Sequence, residues 1–289
     1  MYRQIRSLLK VAMLPVFFLT VFIHVSAADA AAKTRPYKSA VLMDYDSGRV
    51  LQEENAHEQV IPASLVKMMV LLLTMEQLEA GQIQLSDEVT ASAWAAHMGG
   101  QQVHLAKGET FTLGKLLDAM VIASANDAAV AVAEHLAGNV KNCVKMMNAR
   151  ARAIGMKNTV FANVHGLPAG KGQTDDLTSA YDIAVLGRYL LKNYPQVLDW
   201  TSTYTAPFRD GEMTLVNTNK YLLRNVPGVD GLKTGYHRRA GFNVCVTATH
   251  EKRRMIAVVM GAPSKIDRNK KAKDLLAAGF NTKSKADRL

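Results

Sequence analysis

The stretch Pro62-Ala63-Ser64-Leu65-Val66-Lys67-Met68-Met69 puts a serine and a lysine three residues apart at the start of an apolar segment. Proline suits the first positions of a helix, so the pattern predicts a helix near Ser64, with Ser64 and Lys67 on one face. The dipole and free N–H groups of a helix N-terminus favour negative charge that develops beside Ser64. The apolar neighbours of Lys67 disfavour its charged form, which makes a lysine a base near neutral pH.

This first motif is weak alone, because a Ser-x-x-Lys match is expected about once by chance in a chain of this size. The chain indeed has a second match, Ser7-Leu8-Leu9-Lys10. Two further motifs give the first its meaning: Ser124-Ala125-Asn126 begins 60 residues after Ser64, and Lys233-Thr234-Gly235 begins 109 residues after Ser124. Each occurs once, and the three in this order indicate a serine acyl-transfer site.

The second motif is a polar break between the apolar, helix-forming stretches 116–123 and 128–136. Such a break predicts a buried turn between two helices. There the hydroxyl of Ser124 can relay a proton, and the carboxamide of Asn126 can hold a substrate amide. The alternative is a simple turn in which Asn126 or Asp127 caps the next helix, and we expect Asp127 to cap it in either case.

The third motif lies in a region with the alternation typical of strands. The expected strands are 229–234, 241–249 and 255–260. Lys233 offers a positive charge, Thr234 a hydroxyl, and Gly235 would let a ligand approach the edge backbone closely. All three suit an extended anionic peptide, although an ordinary strand end is the commoner meaning of that tripeptide by itself.

On these motifs, residues 40–280 resemble the penicillin-recognising serine D,D-peptidases. Within that group the chain is most similar to the D-alanyl-D-alanine carboxypeptidases of the low-molecular-mass penicillin-binding proteins. Further stretches that carry the resemblance are 125–128, 163–167 and 230–235. The expected reaction is removal of the terminal D-alanine from peptidoglycan stem pentapeptides through an acyl-enzyme. The expected partners are those stem peptides and β-lactam antibiotics.

The resemblance also implies a role for each motif residue. Ser64 would be the nucleophile, Lys67 its base and Ser124 the proton relay. The substrate-binding residues that it implies are Asn126, Lys233, Thr234, Gly235, Tyr236 and Arg268. Among these, Tyr236 would share an oxyanion hole with Ser64 through its backbone N–H, and Arg268 would contact the terminal carboxylate. We expect His165 to hold a loop, and we expect neither a metal nor a cofactor, because no cluster has metal-ligand spacing.

Three other functions compete with the carboxypeptidase. A D,D-endopeptidase that cleaves cross-links shares these motifs, and the motifs cannot separate the two. A class A β-lactamase is disfavoured, because Glu212 to Asn217 has one residue too many for the Glu-x-x-x-Asn pattern that it needs. A non-catalytic penicillin-binding homologue is disfavoured, because all the reactive side chains are present.

The N-terminus predicts export. Arg3, Arg6 and Lys10 precede the apolar run 11–25, and Ala28-Asp29-Ala30 offers a small-x-small cleavage site, so residues 1–30 are expected to be a signal peptide. An N-terminal anchor is the rival, but a run this short, broken by a proline and a histidine, spans a membrane poorly. The expected location is the periplasm or cell envelope.

The net charge fits that compartment. The formal charge of the chain is +10, and residues 1–30 contain three basic residues and one acidic residue, so +8 remains after their removal. A basic protein suits an anionic envelope, and nucleic acid is an implausible partner there. Cys143 and Cys245 are expected to be buried free thiols.

Residues 31–289 are expected to form a single catalytic domain of the α+β class. It resembles the β-lactamase/D,D-peptidase fold: an antiparallel sheet flanked by terminal helices, an all-helical lobe, and the active site between them. A hairpin is predicted at 40–45 and 50–53. The predicted helical stretches are 64–80, 113–138, 140–154, 179–193 and 267–280. We expect neither a C-terminal β-rich domain nor an amphipathic membrane helix, and therefore no stable membrane anchor after signal cleavage.

Overall fold

A five-stranded antiparallel sheet forms the centre of the fold, in a computed structural model that describes residues 36–170 and 172–282. The predicted signal peptide lies outside the described residues. The strands of this sheet are β1 (Ser39–Asp44), β2 (Val50–Glu54), β7 (Val229–His237), β8 (Gly241–His250) and β9 (Arg253–Ala262). They lie in the order β2-β1-β9-β8-β7, so β7, with the third motif, is an edge strand. Two small hairpins pair β3 (Glu88–Thr90) with β4 (Thr110–Thr112) and β5 (Thr205–Phe208) with β6 (Met213–Val216).

Helices make up the rest of the regular structure. They are α1 (Lys67–Glu79), α2 (Ala93–Ala96), α3 (Leu113–Val121), α4 (Asn126–Ala137), α5 (Val140–Ala153), α6 (Ala180–Asn193), α7 (Val197–Thr201), α8 (Lys220–Asn225) and α9 (Lys265–Asn281). Short 3₁₀ turns occur at Ala63–Val66 and Arg209–Gly211. The predicted α+β class is confirmed.

The sheet divides the core in two. Successive side chains of a strand point to opposite faces, so Ala40 and Leu42 of β1 pack beneath α9, whereas Val41 and Met43 join the larger core shared with the helices. Helix α6 lies against β1 and β9 on that second face. The sheet is therefore covered by the C-terminal helix on one side and by the helical lobe on the other.

Glycines in the left-handed conformation end some of these elements. Gly48 turns the β1–β2 hairpin at φ 72°, and Gly138 ends α4 in the left-handed conformation at φ 74°. Helix α9 begins slightly earlier than expected, because Ser264 caps it by accepting the Asp267 N–H at 3.1 Å.

The predicted helical stretch 113–138 is two helices, separated at the polar break. Ser124 occupies this turn with φ 65°, and α4 begins at Asn126 without a side-chain cap. The capping expected of Asp127 is only partly correct. Its carboxylate accepts the Ala128 N–H, but it also accepts the N–H groups of Val103 and Leu105 at 3.0–3.2 Å. Asp127 thus ties a distant loop to the start of α4.

Both cysteines are buried free thiols, as the sequence predicts. Cys143 lies in α5 and Cys245 in β8. Within the described ranges, no helix combines the length and the apolar character that crossing a membrane requires.

Candidate active site

Ser64 lies in the 3₁₀ turn that precedes α1. The sequence predicts an α-helix from residue 64, but α1 begins only at Lys67. The turn is unusual, since Ala63 has φ 50°, a region that non-glycine residues seldom adopt. Strand β7 packs directly against this turn: a Cβ added to Gly235 would come within 2.6 Å of the Pro62 carbonyl oxygen and 3.0 Å of Ser64 N. Gly235 therefore makes room for the turn that carries Ser64, a neighbour that the sequence did not reveal.

Lys67 is buried beside Ser64, and three oxygens surround its amine. Nζ lies 3.1 Å from Ser64 Oγ, 2.7 Å from Asn126 Oδ1 and 2.7 Å from the His165 carbonyl oxygen. Carbonyl oxygens can only accept hydrogen bonds. In a neutral amine they take both N–H groups, which leaves the nitrogen lone pair directed at the Ser64 hydroxyl. The geometry therefore suits proton abstraction from Ser64.

Electrostatics favours this neutral amine. Burial lowers the pKa of Lys67 well below its ordinary value, and the nearby positive charge of Lys233 lowers it further. The carboxylates of Asp127 and Asp176 raise that pKa, but burial is the largest effect. Lys67 has the environment of a catalytic base rather than of a solvated lysine.

The second and third motifs meet between the helical lobe and the sheet. Lys233 Nζ donates to Ser124 Oγ at 2.8 Å and to the Thr234 carbonyl oxygen at 3.1 Å. Burial, aided by the charge of Arg268, lowers the pKa of Lys233 to about 7. Ser124 is thus hydrogen-bonded to Lys233, and its role as a proton relay between Lys67 and a leaving group stays a prediction.

Asn126 has both of its amide atoms engaged. Its Oδ1 accepts from Lys67, and its Nδ2 donates to the Gly99 carbonyl oxygen at 2.7 Å. These two bonds fix which way the amide faces. Asn126 therefore orients the Lys67 amine, and the substrate contact that the sequence suggested for it stays a prediction.

Arg268 of α9 contacts β8, the strand next to the one that carries Lys233. Its guanidinium is buried and bonds Asn269 Oδ1 at 2.8 and 3.0 Å and the Asn243 carbonyl oxygen at 3.5 Å. Burial lowers the pKa of Arg268 to about 10. No carboxylate of the described residues forms an ion pair with it, so its charge is available to an anion.

Thr234 of the third motif is buried, whereas Tyr236, the residue after the motif, is exposed. Thr234 Oγ1 donates to Thr218 Oγ1 at 2.7 Å, which ties β7 to the segment before α8. The Tyr236 side chain is more than half exposed, and its ring stacks on Phe242 with the centroids 4.0 Å apart. A contribution from Tyr236 to the reaction would therefore come from its backbone.

His165 supplies a contact that the sequence did not predict. Its ring holds a loop as expected, since Nδ1 accepts the Leu167 N–H at 3.1 Å. Burial, aided by the Lys67 charge, lowers the pKa of His165 to about 4, so the imidazole is neutral at neutral pH. Its backbone carbonyl, however, is one of the two oxygens that hold Lys67. A carbonyl has no side-chain signature, and only the neighbouring 163–167 stretch pointed to this loop.

A metal site is not evident in the part of the chain that the structure describes, because no three His, Cys, Asp or Glu side chains there could share an ion.

Several known proteins are similar to this chain in sequence or in fold. A family model described as D-alanyl-D-alanine carboxypeptidase matches residues 25–264. D-alanyl-D-alanine carboxypeptidase DacF of Bacillus subtilis is 40% identical over 286 residues, which cover 97% of this chain and 72% of the relative. D-alanyl-D-alanine carboxypeptidase DacC of Escherichia coli is 36% identical over 83% of this chain and 60% of its own length. The crystal structure of penicillin-binding protein D2 from Listeria monocytogenes in the ampicillin-bound form superposes with a TM-score of 0.78 and 28% identity, covering 86% of this chain and 99% of that one.

Proposed function

The chain belongs to the D-alanyl-D-alanine carboxypeptidase family, and from that premise we propose that it removes the terminal D-alanine from peptidoglycan stem pentapeptides. The observation that carries the proposal is the Lys67 amine, buried 3.1 Å from Ser64 Oγ with two carbonyl oxygens at its other positions. This is an activated serine, which is what acyl transfer to water requires.

Acylation begins when Ser64 Oγ attacks the carbonyl carbon of the penultimate D-alanine while Lys67 accepts the hydroxyl proton. The oxyanion that forms is held by the backbone N–H groups of Ser64 and Tyr236. The close packing of Gly235 on Ser64 N supports this pairing, since Tyr236 is the next residue. Oriented donors at the developing charge are worth several kcal/mol in such sites, about 2.7–4 for one donor.

The leaving group is the terminal D-alanine. Collapse of the tetrahedral intermediate breaks its peptide bond, and a proton passes from Lys67 through Ser124 to the departing amine. Lys233, Thr234 and Arg268 hold the terminal carboxylate. The buried, cationic surroundings of Lys233 and Arg268 support this, because a charge-assisted bond to a carboxylate is strongest where water is excluded.

Deacylation completes the cycle. Water, with its proton taken by Lys67, attacks the ester carbon, and the shortened stem peptide leaves as Ser64 recovers its proton. β-Lactams enter the same path at the first step, by acylating Ser64. The ampicillin-bound state of the Listeria relative supports that part of the proposal.

The enzyme acts in the periplasm or cell envelope after export by a signal peptide at residues 1–30. The charged start, apolar run and small-x-small site support export. The basic mature chain suits an anionic cell wall.

Digestion of purified muropeptides tests the function. We expect monomeric pentapeptides to lose one D-alanine, and the Ser64→Ala variant to be inactive and to form no penicilloyl adduct by intact mass. Conversion of cross-linked dimers to monomers, with pentapeptides left intact, would make the protein an endopeptidase. A protein that changes neither substrate would refute the proposal.

A further inference from the structure

A chain of hydrogen bonds runs from the buried carboxylate of Asp176 to the loop that holds Lys67. Asp176 is 2% exposed and lies just before α6, outside the three motifs. Its Oδ1 accepts the backbone N–H groups of Ala162 and Asn163 at 2.7 and 3.0 Å, and its Oδ2 accepts the side-chain amide of Asn163 at 2.7 Å. A carboxylate with three donors around it is well matched to a buried position.

The side chain of Asn163 connects Asp176 to the backbone of His165 and Gly166. Because its Nδ2 faces Asp176, its Oδ1 points the other way and accepts the N–H groups of His165 and Gly166 at 3.0 and 2.5 Å. The direction of every bond is fixed: turning the Asn163 amide over would set N–H groups against N–H groups at one end and oxygen against oxygen at the other. Asp176 therefore determines how Asn163 presents its oxygen.

The segment held in this way touches the nucleophile turn and the base. The His165 carbonyl oxygen lies 2.7 Å from Lys67 Nζ. Gly166, at φ 79°, packs so closely on Ala63 that an added Cβ would overlap the Ala63 carbonyl. A shift of this backbone would move the oxygen that directs the Lys67 lone pair toward Ser64.

We propose that Asp176 is a positioning residue for acyl transfer: through Asn163 it fixes the His165–Gly166 backbone, whose carbonyl orients the Lys67 amine toward Ser64. This inference rests on the proposed function, since it assigns Asp176 a part in the acylation of Ser64.

The charges around these groups shape the expected pH dependence. The charge of Lys233 lowers the pKa of Lys67, and the charges of Asp127 and Asp176 raise it. Burial raises the pKa of Asp176 to about 6, opposed by its bonds from Ala162 and Asn163 and assisted by Asp175, whose own partner is Arg239. When Asp176 is protonated, one of its oxygens becomes a donor, which conflicts with the donors of Ala162 and Asn163. Acidification through this range therefore weakens the chain of bonds that positions Lys67.

The rate of acylation by a fluorescent penicillin, measured over a range of pH, tests the proposal with three variants. Asp176→Asn should lower the rate about tenfold to a hundredfold, the scale of a small misplacement of reacting groups. It should also move the acidic limb of the pH profile to lower pH, because a negative charge that favours the Lys67 ammonium is gone. Asn163→Ala, which keeps the charge and removes the link, should lower the rate similarly, with the acidic limb closer to that of the wild type.

Asp175→Asn is the matched control. Asp175 is adjacent in sequence, but its carboxylate bonds Arg239 and the Ala169 N–H. We expect its acylation rate to stay within about twofold of wild type. Equal losses in the Asp175 and Asp176 variants, or wild-type rates in the folded Asp176 or Asn163 variant, would refute the positioning role. If Asp176→Asn does not fold, the Asn163→Ala rate decides. A wild-type protein that is not acylated at Ser64 would instead refute the proposed function.

Discussion

Lys233 Nζ lies 2.8 Å from Ser124 Oγ, so a side chain of the sheet is hydrogen-bonded to a side chain of the helical lobe. Both residues are buried, and Ser124 holds a left-handed backbone conformation at φ 65°. Strain of this kind persists only where its surroundings enforce it. The second and third motifs are therefore held in contact, between the sheet and the helical lobe, before a substrate arrives.

Lys233 should make the stability of the protein depend on pH. Its pKa falls from 10.5 to about 7 on folding. Between these values the unfolded chain holds a proton that the folded protein lacks, so stability rises with pH through this window. We expect Lys233→Met to be more stable than wild type at pH 7 and the difference in melting temperature to shrink toward pH 10.5. A difference in melting temperature between the two proteins that stays constant across this pH window would contradict the lowered pKa.

Lys67 should be indispensable as a base. Removing it in Lys67→Ala should slow acylation by penicillin about a hundredfold to ten-thousandfold, the usual contribution of a general base. Lys67→Arg should not restore the rate, because a guanidinium stays protonated under these conditions. The measurement is the rate of penicilloyl formation by intact mass. Near wild-type acylation in the arginine variant would exclude Lys67 as the base.

Gly235 should tolerate no side chain. In Gly235→Ala the new Cβ would meet the Pro62 carbonyl and Ser64 N at 2.6 and 3.0 Å, and these backbone atoms cannot move without displacing Ser64. We expect acylation to fall about a hundredfold while circular dichroism shows a folded protein.

The control for this variant is Gly114→Ala in α3. Its Cβ would lie 3.4 Å or more from its neighbours, and alanine favours helix. We expect wild-type acylation there. An active Gly235→Ala variant would show that the nucleophile turn is not held by β7.

The three motifs could predict which side chains the structure brings together at the candidate site, because each motif is short and local. The hairpin at Gly48, the break at Ser124 and the strand that carries Lys233 could likewise be predicted, since turn residues and alternation mark them. The small hairpins and short helices were not predicted, because a segment of only a few residues is too short to show a periodic pattern of apolar side chains.

Other features depend on contacts that sequence spacing does not encode. The His165 carbonyl reaches Lys67 from 98 residues away, and the Asp127 carboxylate reaches back to Val103 across 24 residues. Backbone acceptors and donors are present at nearly every position, so only the fold selects the ones that matter.

The last prediction concerns Arg268 as part of the terminal-carboxylate site. Arg268 is 5% exposed, and the hydrogen-bond partners of its guanidinium are neutral groups of Asn269 and Asn243. A buried cation without an anionic partner is costly unless an anion from outside completes it. Loss of one charged contact costs about 1.5–3 kcal/mol, or about ten- to a hundredfold. Arg268→Ala should therefore lower kcat/KM by this factor for a peptide that ends in free D-Ala-D-Ala.

The same peptide with an amidated C-terminus distinguishes binding from folding. It has no terminal carboxylate, so Arg268→Ala should affect its turnover far less. Lys270→Ala is the control on the same helix, because Lys270 is exposed and pairs with Asp274 at 2.8 Å, and it should leave both substrates unaffected. Equal losses on the free and the amidated peptide would mean that Arg268 supports the packing of α9 on the sheet, and the carboxylate would then have to be bound by Lys233 and Thr234 without it.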